Sequence, residues 1–566
     1  MEPKKQKYTR NKKKIVGGFV PLGYSEADSI IWSVARQCVV HMTPANIGNT
    51  SNLIALLGSK WCLNNYPKLN AKGEICGTDF QSVTAAISEK CIAKGLYSHA
   101  HVRGAGVWRH GDSIVINSKV VTAADGKEIA RAGDSDYVYP AVADIGEPMT
   151  AQIATNEDIE ALVAVIESFN WKYQSDSRLI IGWLYCAYVC GALKWRPHVY
   201  LTGKRGSGKS TFENLLANLM NGYAVHAPAD SSPAGIRQRI KQGALPVLLD
   251  EAEGDGDTIL KIIELFRAAS SDCGDGVLKG TANQIGTSYK LAMCGLAAGI
   301  KPPAFTAADS TRIIQMQIEP VAFNAEPHEL LEDDEQAQQL GLRLWKHAIK
   351  NHGSFVTLLK KVRKELSKAG DSQRAQDTLG AVIAGAMVML NEHDVESFVA
   401  GLQLNHHRNE QDASDESDAL EYLLSYMLKM QVANKRTIDE RKEYMEKPII
   451  EWLREACRDN DIAKAIARFG IRATNNHGNI ALSIVKASSF APLNDIFKGS
   501  KWEAGWRQLL LRLPSAEIKN VRVAGDAKKC IYVPTAYAAK TVADGDVVEI
   551  QKIPLKELES SNSVPF

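Results

Sequence analysis

The sequence predicts a mixed α/β protein organised around a parallel-sheet domain with flanking helices. Residues 196 to 320 alternate apolar, strand-like runs with polar, helical stretches, as parallel α/β domains do. Within this region the segment HVYLTGKRGSGKSTFENLL, residues 198 to 216, places a glycine-rich loop between an apolar run and a helical pattern. The segment ALPVLLDEAE, residues 244 to 253, then places two acids directly after a second apolar run.

The chain has 566 residues, which is too long for one hydrophobic core, so several domains are expected. The segment NHHRNEQDASDESD, residues 405 to 418, is acidic, polar and without periodicity, and it is the best candidate for a linker. The predicted divisions are a basic tail at 1–14, an N-terminal α/β domain at 15–150, the parallel α/β core at 151–325, a helical region at 326–404, a linker at 405–425 and a C-terminal domain at 426–566.

The composition is that of a folded globular protein, with 45% hydrophobic and 23% charged residues. The net charge of +2 is unevenly distributed, because seven lysines and arginines crowd the first fourteen residues against the single acid Glu2. Such a tail suits the phosphates of a nucleic acid, and a plain solvated tail fits the same residues equally well.

The cysteines and the apolar runs indicate where the protein resides. The ten cysteines include no CxxC pair and no zinc-like spacing, so reduced thiols and a cytoplasmic location are expected. The most apolar run, Leu179 to Leu193, is shorter than the roughly twenty residues that span a bilayer. The sequence therefore predicts a buried helix here and no membrane partner.

The loop GKRGSGKS matches the phosphate-binding pattern G-x-x-x-x-G-K-[ST], the P-loop, between an apolar strand and a helix. Its glycines let backbone N–H groups turn toward phosphates, and the helix N-terminus adds partial positive charge. Lys209 is expected to reach the β and γ oxygens, and the Ser210 hydroxyl is expected to bind Mg²⁺. The sequence thus predicts an ATP and Mg²⁺ site with contacts from Gly203, Gly206, Ser207, Gly208, Lys209, Ser210 and Thr211.

The acids after the second apolar run predict hydrolysis in addition to binding. Pro246 fits only at the start of the strand that ends before Asp250. Asp250 is then expected to hold the metal shell, and Glu251 to polarise the attacking water. The plain alternative is that both acids are the solvated end of a strand.

A third strand and an arginine complete the predicted order. The run SYKLAMCGLAAGI, residues 288 to 300, is the apolar stretch available for that strand, and Arg312 follows in AADSTRIIQMQI. An arginine just before another strand can reach the γ-phosphate of a neighbouring subunit and make hydrolysis depend on assembly. A surface arginine would give the same sequence pattern, so the catalytic role of Arg312 depends on the order of the motifs.

This order resembles the superfamily 3 helicases of the AAA+ class, and in particular phage and prophage primase-helicase proteins. The resemblance is carried by GWLYCAYVCGALKWRPHVYLTGKRGSGKS, PAGIRQRIKQGALPVLLDEAE and ADSTRI, and weaker flanking motifs extend it over most of the chain. It implies an AAA+-like P-loop ATPase core that acts as a homo-oligomeric ring, a hexamer, on single-stranded or forked DNA. The implied function is an ATP-hydrolysing DNA helicase or translocase for the replication of a phage or mobile element.

Two departures limit what the resemblance implies. Superfamily 3 proteins usually end the third strand with a polar sensor of the γ-phosphate, and here the strand offers Cys294, Gly295, Ala297 and Ala298, so no sensor is assigned. The acids of DSD, residues 134 to 136, lack the partner motif of a primase centre. A separate primase or polymerase is therefore an expected partner.

The DNA contact is predicted in GDGVLKGTANQIGTSYK, residues 274 to 290, which reads as a hairpin. Superfamily 3 rings use a hairpin at this point to hold single-stranded DNA. Lys279 and Lys290 would meet phosphates, and Asn283 and Gln284 would touch sugar or base. An ordinary exposed hairpin is the competing interpretation.

The C-terminal segment predicts two helices followed by a basic hairpin, which resembles a winged helix. A protein-docking role for this domain is equally open. Two further functions stay open for the whole chain: a P-loop ATPase that loads or remodels replication or defence complexes without unwinding, and an origin-binding protein whose nucleotide only switches assembly.

Overall fold

The protein is described by a computed structural model that covers residues 17–142, 145–228, 230–250, 256–271, 277–280, 286–289, 291–300, 302–303, 305, 307–320, 328–404, 407, 415–433, 442–476, 479–487, 491–498, 500, 502–503, 505–513 and 516–535. The chain divides into two compact units, residues 1–410 and 411–566. The predicted basic tail at 1–14 lies outside the described residues. No helix in the described ranges is long and apolar enough to cross a membrane.

The first part of the larger unit contains two three-stranded antiparallel sheets and a two-stranded hairpin among its described residues. The first sheet and its hairpin neighbour comprise β1 (Phe19–Ser25), β2 (Asp28–Ser33), β3 (Cys38–Met42), β4 (Pro67–Leu69) and β5 (Ile75–Thr78), packed with α1 (Pro44–Ile47), α2 (Thr50–Leu57), α3 (Ser59–Asn65) and α4 (Phe80–Lys94). The second sheet comprises β6 (Gly106–His110), β7 (Ser113–Asn117) and β8 (Val121–Ala123). Strands β6 and β7 form an antiparallel hairpin, with Gly106 opposite Asn117 and His110 opposite Ser113.

Two helices lead into the core of the unit. Helix α5 (Asn156–Glu167) begins at Thr155, whose side chain accepts from the N–H of Asp158 while the Asp158 carboxylate accepts from the N–H of Thr155. Helix α6 (Ser175–Tyr188) corresponds to the most apolar run and is buried along nearly its whole length, as predicted. At Gly182 an added Cβ would lie 1.8 Å from the carbonyl oxygen of Val382, so only glycine allows this close helix approach.

The centre of the unit is a parallel sheet. Among the described residues it comprises β9 (His198–Thr202), β10 (Val225–Ala227), β11 (Val247–Leu249), β14 (Gly295–Gly299) and β15 (Ile313–Gln317), in the spatial order β10, β11, β14, β9, β15. The intervening helices are α7 (Lys209–Leu219), α8 (Pro233–Ile240), α9 (Gly256–Ala269) and α10 (Ala307–Ser310). The mixed α/β class with a parallel sheet and flanking helices is therefore confirmed.

Helices follow the sheet, as the pattern of residues 326 to 404 predicts. They are α11 (Asp334–Lys350), α12 (His352–Lys368), α13 (Gln373–Met389) and α14 (Val395–Gly401), and short 3-10 turns occupy His99–His101, Pro148–Thr150 and Glu329–Leu331. Helix α13 packs against α6 and is buried on most of its residues. One continuous apolar core joins these helices to the sheet.

The smaller unit has its own core and an antiparallel sheet. Its elements are α15 (Asp415–Ser425), β16 (Met427–Ala433), β17 (Lys442–Pro448), α16 (Ile449–Ala456), α17 (Asn460–Ala467), β18 (Ile471–Asn476), β19 (Asn479–Val485), α18 (Ala491–Phe497), α19 (Trp506–Leu510), β20 (Glu517–Val523) and β21 (Asp526–Thr535). The sheet order is β18, β19, β21, β20. The predicted helices and final hairpin are present, and the winged-helix assignment stays a prediction.

The end of the predicted linker at 405–425 is folded. Helix α15 buries Ala419, Leu420, Leu423 and Leu424 in the core of the smaller unit. These apolar residues recur on one helical face directly after the acidic stretch, so the last part of the predicted linker belongs to a helix that packs on a core. His407 is also buried, with Nε2 3.0 Å from Oδ1 of Asp176 in the larger unit's own core.

Candidate functional site

The P-loop joins the end of β9 to the start of α7, which is the context that the sequence predicts. Strand β9 is buried from His198 to Leu201, and the helix begins at Lys209. Gly206 and Gly208 have φ angles of +79° and +91°, a conformation that favours glycine. The loop backbone therefore depends on glycine at these two positions.

The base of the loop is tightly packed around Gly203. A Cβ added there would lie 2.4 Å from Oγ of Ser207 and 2.5 Å from the carbonyl oxygen of Ile318 on the neighbouring strand. Ser207 is 1% exposed, and its hydroxyl has no hydrogen-bond partner among the described residues. A narrow loop with an unsatisfied inner hydroxyl fits a site for phosphate oxygens.

Lys209 is the lysine of the P-loop pattern and the first residue of α7. Its Nζ donates hydrogen bonds to the carbonyl oxygens of Gly203, at 2.7 Å, and Lys204, at 3.3 Å. The ammonium is thus held against the loop that would surround a phosphate. Ser210 and Thr211 follow on the first turn of α7, and both are exposed.

The predicted metal-binding acid lies at the same edge of the sheet. Asp250 follows β11 directly, and its backbone N–H donates to the carbonyl of Ala227 at 3.3 Å. Because β9 and β11 both run parallel to β14 between them, Asp250 and the P-loop lie at their carboxyl ends. This edge is where parallel α/β sheets bind ligands. Glu251, the predicted catalytic acid, lies outside the described residues.

Glu213 is a residue of this site that the sequence reasoning missed. It lies one helical turn after Lys209 on α7 and is only 2% exposed. Burial, with the nearby Asp250 carboxylate as the next cause, raises the pKa of Glu213 to about 9, and Lys209 partly opposes the shift. Neither of its oxygens makes a hydrogen bond of ordinary geometry within the described structure. The sequence pattern that could have predicted it is an acid among the apolar residues of the helix face that packs on the sheet.

The third strand supplies no polar sensor within its described residues. Strand β14 lies between β11 and β9 and is buried throughout. Cys294 precedes it at the opposite edge, where its thiol donates to the carbonyl of Cys186 at 3.5 Å. Gly295, Ala297 and Ala298 present no hydrogen-bonding side chain, so the sensor stays unassigned.

Arg312 lies at the amino ends of the parallel strands, whereas the P-loop lies at their carboxyl ends. It directly precedes β15, which runs parallel to β9 with Ile313 opposite His198 and Gln317 opposite Thr202. Its guanidinium donates to the carbonyl of Ala308 and lies 5.8 Å from the ring centroid of Trp195. The structure therefore does not bring Arg312 to the P-loop of its own chain.

The predicted DNA-contacting segment forms an antiparallel pair. Strand β12 (Val277–Gly280) pairs with β13 (Gly286–Tyr289), so the backbone of the predicted hairpin is present on both sides of its turn. Lys279 lies within β12. Asn283, Gln284 and Lys290 lie outside the described residues, and their proposed contacts stay predictions.

The residues at this edge fit a magnesium nucleotide. A glycine-dependent loop that ends in Lys209 at the start of α7 suits the phosphates. The exposed Ser210 hydroxyl and the Asp250 carboxylate are oxygen groups of the kind that Mg²⁺ prefers. When bound, Mg²⁺ would supply positive charge that offsets the negative charge developing on the phosphates.

No protein-family profile and no curated protein matches this sequence. Among solved structures, the chain is similar to one described as "SCCmec type IV Cch - active helicase", with 12% identity and a TM-score of 0.49 over 90% of this chain and 91% of that one. It is also similar to the apo A form of the NrS-1 C-terminal region, with 12% identity and a TM-score of 0.33 over 91% of this chain and 96% of that one. Similarity at this level establishes neither the family nor the activity of this chain.

Proposed function

We propose that this protein is an ATP-hydrolysing motor that acts on DNA. The observation that carries the proposal is the meeting of the P-loop, with Lys209 at its centre, and the carboxylate of Asp250 at one edge of a parallel sheet. A lysine-bearing loop binds the phosphates, and an acid at a neighbouring strand end supplies the metal ligand.

The roles of the individual residues follow from the chemistry of phosphoryl transfer. Ser210 and Asp250 hold Mg²⁺, and Glu251 orients and deprotonates the attacking water. Arg312 contacts the γ-phosphate in the site of a neighbouring subunit, because the P-loop of its own chain lies at the opposite ends of the strands. This division of the site between two chains requires a homo-oligomer, for which we propose the hexameric ring of the superfamily 3 helicases in the AAA+ class.

The DNA-binding element of the motor is the β12–β13 hairpin. Its antiparallel strands support the proposal that Lys279 and Lys290 contact phosphates and that Asn283 and Gln284 contact sugar or base. In this function the protein is a helicase or translocase for the replication of a phage or mobile element, with a separate primase or polymerase as partner. A P-loop ATPase that remodels complexes without unwinding is the second candidate, since the nucleotide site alone would serve it equally.

The test combines three measurements on the purified full-length chain. ATP hydrolysis is measured without DNA, with single-stranded DNA and with forked DNA, strand separation is followed on the labelled fork, and negative-stain images report rings. The motor function predicts DNA-stimulated hydrolysis, fork opening and rings. If DNA stimulates ATP hydrolysis and the fork stays closed, the result favours a translocase. If the rate of ATP hydrolysis is the same with and without DNA, the result favours the remodelling ATPase. Nucleotide binding with no turnover favours an origin-binding switch and overturns the motor.

A further inference from the structure

A cleft lies inside the larger unit, where the residues before β6 meet the end of α8. Its volume is about 700 Å³, within the range of about 300 to 1,000 Å³ that is typical of small-molecule sites. The N–H of Gly104 donates to the carbonyl of Gln242 at 2.9 Å. The N–H of Ala244 donates to the carbonyl of Ala105 at 2.7 Å. These backbone hydrogen bonds join the two segments that line the cleft, so its shape is part of the fold.

The residues that line the cleft are of two kinds. The end of α8 and the turn after it contribute polar side chains, which are Gln238, Arg239, Lys241 and Gln242. The apolar lining residues include Pro140, Val142 and Leu245. No carboxylate is among the described residues that line the cleft. Two cations without a lining acid favour an anionic ligand, and the apolar side chains favour a ligand that also has an apolar part.

The two cations of the cleft are available to a ligand. Arg239 and Lys241 are both exposed, and neither side chain forms an ion pair or a hydrogen bond with another residue that the structure describes. Arg237 lies on the same helix two residues before Arg239, but it does not line the cleft. It therefore provides a matched control for the loss of one positive charge from α8.

Lys241 has a backbone conformation that glycine adopts more readily. Its φ is +52° and its ψ is −117°, and the N–H of Gly243 donates to the carbonyl of Ile240 at 2.8 Å. This is the geometry of a type II′ turn, in which the first central residue is usually glycine. A lysine is strained at this position, and backbone strain is concentrated at functional sites. The charge that Lys241 brings to the cleft accounts for a residue type that the turn does not favour.

We propose that this cleft binds a nucleoside phosphate, either a free nucleotide or one nucleotide of a single strand. Arg239 and Lys241 bind the phosphate, because charged donors form the strongest hydrogen bonds to phosphate oxygens. Gln238 and Gln242 offer both donors and acceptors to the sugar or base. Apolar side chains such as Leu245 pack on the flat base.

The proposed cleft site is separate from the P-loop. Val225 and Leu245 line the cleft, and they lie at the amino ends of β10 and β11. The P-loop lies at the carboxyl ends of the strands. The inference therefore goes beyond the proposed ATPase, and it stands or falls independently of ATP hydrolysis.

The test measures binding to the full-length chain with two probes. Deoxythymidine monophosphate is titrated by calorimetry, and a fluorescein-labelled oligothymidylate is titrated by anisotropy at several salt concentrations. All proteins carry Lys209→Ala, which weakens nucleotide binding at the P-loop. The added changes are Arg239→Gln and Lys241→Gly, with Arg237→Gln as the control. Thermal unfolding reports whether each protein is folded.

We expect Arg239→Gln and Lys241→Gly each to weaken the binding of at least one probe by about 10-fold, because hydrogen bonds to charged groups contribute that much. A loss with the oligothymidylate alone assigns the cleft to a single strand. In that case the slope of log affinity against log salt should fall by about 0.7 for each lost phosphate contact. A loss with the mononucleotide assigns the cleft to a free nucleotide.

The stability of the variants separates binding from a structural role. Lys241→Gly should unfold at the same temperature as its parent or higher, because glycine relieves the strained turn. Arg239→Gln changes an exposed side chain and decides the outcome if Lys241→Gly does not fold. If both cleft variants bind both probes with the affinity of Arg237→Gln, the inference is overturned. The ATPase activity of the wild-type protein is measured separately, so failure of the cleft site and failure of the proposed function are distinct.

Discussion

Replacing Arg312 by alanine separates a role in the neighbouring subunit from a role within its own. From Arg312 to Gln317, the partner of Thr202, the parallel register spans five residues, or about 16 Å at about 3.3 Å per residue. An arginine side chain cannot bridge that length to its own P-loop. Arg312→Ala is therefore expected to bind ATP with wild-type affinity and to hydrolyse it poorly.

The size of the two possible effects differs enough to distinguish them. Within its own chain the Arg312 side chain makes one hydrogen bond to Ala308 and one cation–π contact with Trp195, together worth about 1 to 2 kcal/mol of stability. An arginine finger contributes on the order of 10³ to 10⁵ in rate. That factor corresponds to about 4 to 7 kcal/mol in the transition state. A loss of hydrolysis without a comparable loss of stability therefore indicates the finger.

The decisive assay mixes two inactive variants. Lys209→Ala subunits keep Arg312, and Arg312→Ala subunits keep the P-loop, so mixed interfaces can pair an intact loop with an intact arginine. We expect the mixture to recover part of the ATPase activity, while Arg178→Ala, which removes a half-buried arginine paired with Glu167 at 3.0 Å, behaves as the wild-type protein. A mixture that forms rings and stays as inactive as its components refutes the division of the site between subunits.

Three further predictions address the site and its support. Lys209→Ala should weaken ADP binding in calorimetry, because it removes the positive charge that faces the phosphates. Glu251→Gln should bind nucleotide normally and stop its hydrolysis. Hydrolysis at the wild-type rate by Glu251→Gln would show that Glu251 is not the catalytic acid. Lys279→Ala should lose most DNA stimulation of the ATPase at an unchanged basal rate, and full stimulation in that variant would leave the hairpin an ordinary surface feature. Burial lowers the pKa of the fully buried His198 to about 3, and its Nδ1 accepts from the N–H of Gly295 at 2.9 Å, so the folded chain keeps the ring neutral. Because the unfolded chain takes up that proton near pH 6.5, the stability from His198 is present above pH 6.5 and is lost as pH falls toward 3, about 2 kcal/mol of it by pH 5. Urea unfolding of His198→Gln should show a pH slope shallower by about one proton, and identical slopes would contradict the buried neutral ring.

Much of the candidate phosphate-binding loop could be predicted because its residues are contiguous in the chain. The P-loop needs glycine where φ is positive, a lysine and a hydroxyl at fixed offsets, and a strand and a helix on its two sides, all within residues 198 to 216. The hairpin pattern around Lys279 and the buried helix at Leu179 follow from local periodicity in the same way. The predicted linker at 405–425 overlaps a helix from Asp415 to Ser425, because a charged start of a helix and a polar linker have similar compositions.

What only the tertiary structure decided is the relation between residues far apart in the chain. The sequence by itself determined the glycine-rich loop and the strand that ends before Asp250, because each depends on neighbouring residues and on backbone conformations that few residue types adopt. The parallel direction of β11, β14, β9 and β15 places Asp250 and the P-loop at the carboxyl ends of the strands, and Arg312 at their amino ends. The packing of α7 buries Glu213, and Asp250, 37 residues further along the chain, is among the groups that raise its pKa. Contacts between distant residues follow from strand order and register. Both are set by the burial of the whole core, so no short segment of the sequence predicts them.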